Sequence, residues 1–259
     1  MNPKTEQLLA TLEVITEGLW FATQSGYQIY PFVWKVEEKG EFNLINFLID
    51  QNHLQIVDSK HFSKAWRCAT KELKQPSSIS EGDRQPIAFI EELQSNLTDL
   101  EFYSLGRGRD SLFSQMIVGK TADDAWFGFT NARDERFLFT RKTVIVKDGY
   151  TTQQAEILKA RIDPFIEEMK LLLKKGSYID PEIVWEVAES KSQVLIKLLN
   201  SSRFVESDRY FSLQDERLND FITSQLEQLG SYVVDWNIYA IGQIPNGDWL
   251  GVATSGYWD

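Results

Sequence analysis

Cysteine and histidine are scarce in this chain: Cys68 stands alone, and the histidines are His53 and His61. One cysteine excludes an internal disulfide and any cysteine-based zinc cluster. Two histidines without a ligand at suitable spacing leave no site for a transition metal, so neither metal nor cofactor is expected. No apolar run approaches the length of a membrane span, and Met1-Asn2-Pro3-Lys4-Thr5-Glu6 shows no apolar core of a signal peptide. A soluble, reducing, cytoplasmic setting is the expectation, with no membrane partner. Gly-x-Ser-x-Gly, a P-loop and a dinucleotide fingerprint are all missing. Basic charge is also short. Twenty-seven Lys and Arg face 38 Asp and Glu, a net −11. Residues 1–131 carry −6 and the remainder −5, so the acidity reads as spread over both halves. Such a surface repels nucleic acid and suits a basic protein.

What is present is an internal echo. Ile117-Val118-Gly119 and Trp126-Phe127-Gly128 return as Ala240-Ile241-Gly242 and Trp249-Leu250-Gly251, at a constant offset of 123. Each copy reads as strand, tight turn, strand. Pro245-Asn246-Gly247-Asp248 supplies the second turn, with Asn-Gly suited to positive φ. Ala122-Asp123-Asp124 is a poorer turn in the first. Glycines inside strand patterns mark a bulge or a close backbone approach. Two related domains are expected, over 1–135 and 136–259, the second enriched in helix.

Thr5 opens a first helix that Gly18 ends, and Leu19–Thr23 is a short strand. Tyr30, Phe32, Trp34 and Val36 alternate along Gln28–Glu37 and read as the buried face of a strand. Phe42–Ile49 and Leu54–Val57 read as further strands. Asp58 or Ser59 caps a helix through Ala69 that carries Cys68 as a buried thiol. Pro86 opens a helix bearing Phe89, Ile90, Leu93 and Leu97. In the second half, Thr151–Lys175, Pro181–Asn200 and Leu213–Leu229 read as helices, and Phe137–Phe139 and Thr143–Val146 as strands. Gly106-Arg107-Gly108-Arg109-Asp110 is either a solvated turn or an anion-holding loop. Asp123 and Asp124, with no third carboxylate nearby, read as a turn tip.

Several of these residues carry a likeness. Ser95-Asn96-Leu97, five residues, then Tyr103-Ser104-Leu105-Gly106 resembles a motif of the cyanobacterial nuclease A inhibitor family (NuiA). The opening helix with Gly18-Leu19-Trp20-Phe21 is similar to that family's Gly-Leu-Leu-Phe. Ile238–Gly247 and Gly251-Val252-Ala253-Thr254 resemble its closing hairpin. The resemblance implies an α+β chain, with helices on both sides of mostly antiparallel sheets (α/β/α sandwiches). It also implies a non-enzymatic module that blocks a metal-dependent, sugar-non-specific DNA/RNA endonuclease. In the family a glutamate in the loop after the first strand reaches the nuclease's metal, and a C-terminal threonine assists. Here Gln24 stands at that loop position and Ser255-Gly256-Tyr257-Trp258-Asp259 ends the chain. The implied partner-binding residues are Gln24, Ser25 and Tyr27. The aromatic end, Tyr257, Trp258 and Asp259, either tucks back or anchors a partner. Two alternatives stay open: the inhibitor fold kept for another partner, or an enzyme with an interdomain cleft using Asp50, Asp58 and Asp110.

Overall fold

The computed structural model describes residues 2–21, 27–73, 85–106, 114–132, 149–175, 182–207, 215–234 and 237–254. The chain forms two compact units. The first joins Met1–Asn46 to Val205–Asp259, and the second is Phe47–Phe204. The compact units do not follow the division expected near residue 135. Strand pairing overrides sequence adjacency, because the N-terminal strands find their hydrogen-bonding edge on the C-terminal hairpin.

The first unit holds a six-stranded antiparallel sheet in the order β1-β2-β11-β10-β9-β8. Its strands are β1 (Trp20–Phe21), β2 (Tyr27–Trp34), β8 (Val205–Ser207), β9 (Glu227–Val234), β10 (Asn237–Gln243) and β11 (Trp249–Thr254). Helices α1 (Pro3–Thr16) and α8 (Glu216–Gln225) cover one face. There Leu12, Leu218, Phe221 and Ile222 pack on Ile29, Ala240, Leu250 and Val252. Asn2 caps α1 by accepting from Lys4 N at 3.0 Å. Asp215 caps α8 through Leu218 N at 3.0 Å. That bond, joined by Arg217, holds the Asp215 carboxyl below the usual range. On the opposite face Phe32 meets Tyr239 edge-on, and Phe42 lies between Trp34 and Trp249. The stripe expected to be buried is graded: Trp34 is enclosed and Tyr30 is 38% exposed. Val36 belongs to a short helix, α2 (Val36–Lys39).

The second unit holds a five-stranded antiparallel sheet, β3-β4-β5-β6-β7. These are Leu54–Val57, Thr98–Leu105, Gln115–Lys120, Trp126–Asn131 and Ile183–Ala188. Three helices cover one face: α4 (Ser59–Leu73), α5 (Gln85–Asn96) and α6 (Gln153–Lys175). Phe62, Trp66, Phe89, Leu93, Leu158, Ile162 and Ile166 build the core there against Phe102, Ile117, Phe127 and Phe129. Helix α7 (Lys191–Ser201) packs on β6 and β7 from the other side. The expected α+β class, with helices packed on antiparallel sheets, is what the chain adopts.

Three sequence readings change. Phe42–Ile49 is not a strand, since Leu44–Asp50 forms helix α3. Asn43 Oδ1 accepts from Asn46 N at 2.8 Å, a helix-start bond that a strand cannot make. Pro181–Asn200 is not one helix. Ile183–Ala188, rich in β-branched and aromatic residues, pairs with β6, and Ser190 caps the helix that follows. Leu213–Leu229 yields a helix only to Gln225, after which Glu227 enters β9. Expected strands at Phe137–Phe139 and Thr143–Val146 lie outside the described residues.

The echo seen in sequence extends through the backbone. The first sheet contains the 237–254 hairpin and the second the 115–131 hairpin. Strands β2 and β3 lie in different sheets for the reason given above. Both hairpin turns use the same bonds, Thr121 N to Ala125 O and Ile244 N to Asp248 O, each at 2.8 Å. At matching positions Asp124 has φ 64° and Gly247 φ 94°. Helices α3 and α7 end alike. Asn52 and Arg203 are left-handed at φ 58° and 59°, and the next N–H returns five residues back, His53 to Leu48 and Phe204 to Leu199. The strand glycines explain themselves by close approach. A Cβ on Gly119 would lie 2.9 Å from Leu97 Cβ, and one on Gly242 2.6 Å from Leu226 Cβ.

Candidate protein-docking edge

The β1–β2 hairpin forms one edge of the first unit's sheet. Trp20 faces Gln28 and Phe21 faces Tyr27. On the inner side β2 pairs with β11, and Thr254 lies opposite Ile29. Since β11 runs antiparallel to β2, it ends where β2 begins. The two segments singled out in the sequence, the hairpin loop and the chain end, are thus anchored on neighbouring strands at one end of this sheet. Gln24 and Ser25 lie outside the described residues, as do Tyr257, Trp258 and Asp259. Tyr27 is the first residue of β2.

At the opposite end of β2 and β11 lies a buried polar network that sequence reading did not find. Asp248, at the β10–β11 turn, is 7% exposed. Its Oδ2 accepts from Thr5 Oγ1 at 2.7 Å and Asn246 Nδ2 at 3.1 Å. Its Oδ1 accepts from Val36 N at 3.0 Å. Asn246 Nδ2 also donates to Thr5 Oγ1 at 2.7 Å. One carboxylate therefore ties α1, the start of α2 and the last hairpin together. The signal available in sequence was an aspartate directly after Asn-Gly. Its partners Thr5 and Val36 lie over two hundred residues away, beyond any local pattern.

A second unforeseen feature sits at the end of β11. Thr254 is 1% exposed, and its Oγ1 has no hydrogen-bond partner among the described residues. The equivalent residue of the other sheet, Asn131, likewise leaves Oδ1 unpartnered.

The remaining candidates do not converge. Asp58 Oδ1 accepts from His61 N at 2.8 Å and so serves α4. Asp50 is exposed at the end of α3, and Asp110, Arg107 and Arg109 lie outside the described residues. Asp123 accepts from Thr121 Oγ1 at 2.6 Å, which draws its carboxyl below the usual range, and receives Gln154 N at 3.4 Å. It anchors the start of α6. Asp124 pairs with Lys120 at 2.6 Å. His53 is buried. Cys68 is exposed, which corrects the expected buried thiol: it falls on the solvent side of α4, whose inner side is Phe62 and Trp66. Among the described residues, no group of three His, Cys, Asp or Glu is placed to hold a metal ion, and no helix is long and apolar enough to cross a membrane.

The fold defines a class: antiparallel sheets packed against helices, with the start of β2 and the end of β11 as neighbours in one of them. Residues 6–133, just under half of the chain, match the family described as nuclease A inhibitor-like protein, which supports a NuiA-like protein. No curated protein matches it. The matched stretch runs from α1 to the end of β6 and so contributes to both units.

Proposed function

We propose that this chain is a non-enzymatic inhibitor of a basic, metal-dependent DNA/RNA nuclease, docking through the β1–β2 tip. The observation that carries the reading is the nuclease A inhibitor-like match over 6–133. That the described strands adjoining the two suspected segments, β2 and β11, are neighbours in one sheet supports it. Gln24 and Ser25 at the tip, Tyr27 at the start of β2, and Tyr257, Trp258 and Asp259 at the chain end are the proposed contacts. The chain itself binds no nucleic acid, because its surface is acidic. A cytoplasmic setting fits a single free cysteine. The correspondence of turns and caps between the sheets supports two copies of one ancestral segment, 1–135 and 136–259.

Gln24 favours a second reading. An amide carries no charge and binds a divalent cation more weakly than a carboxylate does. On that reading the fold serves a different protein partner. One assay separates the two: inhibition of a magnesium-dependent, sugar-non-specific nuclease by the native chain and by Gln24→Glu. The inhibitor reading expects measurable inhibition that Gln24→Glu strengthens. A nuclease left fully active by both at micromolar concentration favours the second reading.

A further inference from the structure

The charge of this chain is divided unequally between its units. Residues 1–46 and 205–259 hold 5 basic and 15 acidic side chains, a net −10. Residues 47–204 hold 22 basic and 23 acidic, a net −1. The even split between sequence halves is thus no guide to the folded molecule. Nearly all the excess negative charge resides in the unit that carries the β1–β2 edge.

That edge also carries the most exposed aromatic side chain among the described residues. Trp20 is 60% exposed, and Tyr30 is 38% exposed. Trp20 lies opposite Gln28, and Tyr30 is two residues further along β2. Side chains alternate along a strand, so Trp20, Gln28 and Tyr30 share one face, with Trp20 and Tyr30 as diagonal neighbours. Gln28 is exposed too. Strand β1 ends the sheet order, with no strand beyond it among the described residues. Two amphipathic aromatics around an amide, in an acidic unit, are a composition suited to arginine and lysine side chains. Guanidinium and ammonium groups stack on Trp and Tyr faces and are drawn in by surrounding carboxylates. Trp, Tyr and Arg are also the residues that concentrate energy in protein interfaces.

We propose that Trp20 and Tyr30 form an anchoring patch for a basic protein partner, seated on the β1–β2 face of the acidic unit. The proposal rests on the docking reading above and names two contacts it lacked. The test titrates labelled poly-L-arginine with the full chain and with Trp20→Ala and Tyr30→Ala. Ile56→Ala, at a 61% exposed position in the second unit, is the control. The native chain should bind, more weakly as salt rises. Trp20→Ala should weaken binding about tenfold and Tyr30→Ala about threefold, while Ile56→Ala leaves it unchanged. The Trp20→Ala thermal midpoint should stay near the native value, since Trp20 is 60% exposed, and Tyr30→Ala is measured at a temperature where it remains folded. Equal binding by Trp20→Ala, or no binding by the native chain, overturns the patch. A dimer in sedimentation that Trp20→Ala dissolves also overturns it, by assigning the face to a second copy. If poly-L-arginine binding depends on Trp20 while the nuclease assay shows no inhibition, the patch stands and the inhibitor reading alone fails.

Discussion

Gly242 and Gly247 lie five residues apart in one hairpin and are glycine for different reasons. At Gly247 the backbone is left-handed at φ 94°, and an added Cβ would meet nothing within 4 Å. Gly247→Ala should therefore cost only the conformational penalty, about 1 kcal/mol. At Gly242 an added Cβ would lie 2.6 Å from Leu226 Cβ and 2.9 Å from the carbonyl oxygen of Glu227. Neither can move without shifting β9. Gly242→Ala should cost about 3 kcal/mol, at the upper end for overpacking. Denaturant midpoints of the two variants check the ranking, and a larger loss at Gly247 would contradict it. The glycines were legible in sequence as bulge or close-approach positions. Which backbone approached them was not.

Between elements, Asp248 takes the place that a local motif would otherwise fill. Its carboxylate receives Thr5, Asn246 and the N–H of Val36, so the first helix is fastened to the last hairpin. Removing it strands the buried Thr5 hydroxyl and unpairs the part-buried donors of Val36 and Asn246. Asp248→Ala should destabilise the first unit by about 3 kcal/mol, and Asp248→Asn by less, since an amide oxygen still accepts. Hydrogen exchange should show the loss in α1 and β11 first, and uniform protection in Asp248→Ala would refute the coupling. Element types were readable where period and caps agreed, as in α1, α5 and α6. They were misread at Leu44–Asp50 and Ile183–Ala188. Short apolar runs suit either a buried helix or a strand, and partners outside the run decide.

Across the whole chain, the connectivity of the two sheets has a physical consequence. Strand β2 comes from the first half and pairs with β11, while β7 comes from the second half and pairs with β6. Each unit is thus completed by strands from both halves of the sequence. A protease site engineered within residues 133–148 should, after cleavage, leave the halves bound together through these ladders. The cut protein should keep its native elution volume and separate only in denaturant. Halves that part in native buffer would show that each closes on itself instead.

The residues alone determined the paired hairpins and their glycines, the acidic balance and the nuclease A inhibitor-like motifs, whose resemblance implied the α+β class. Each depends on composition, on spacing, or on bonds within a few residues. Only the tertiary structure decided which strand lies beside which. It also decided where the −10 accumulates, and that Trp20 and Tyr30 share an open face. Strand pairing is a competition among edges with similar hydrogen bonds, so its outcome belongs to the folded chain and not to any local stretch.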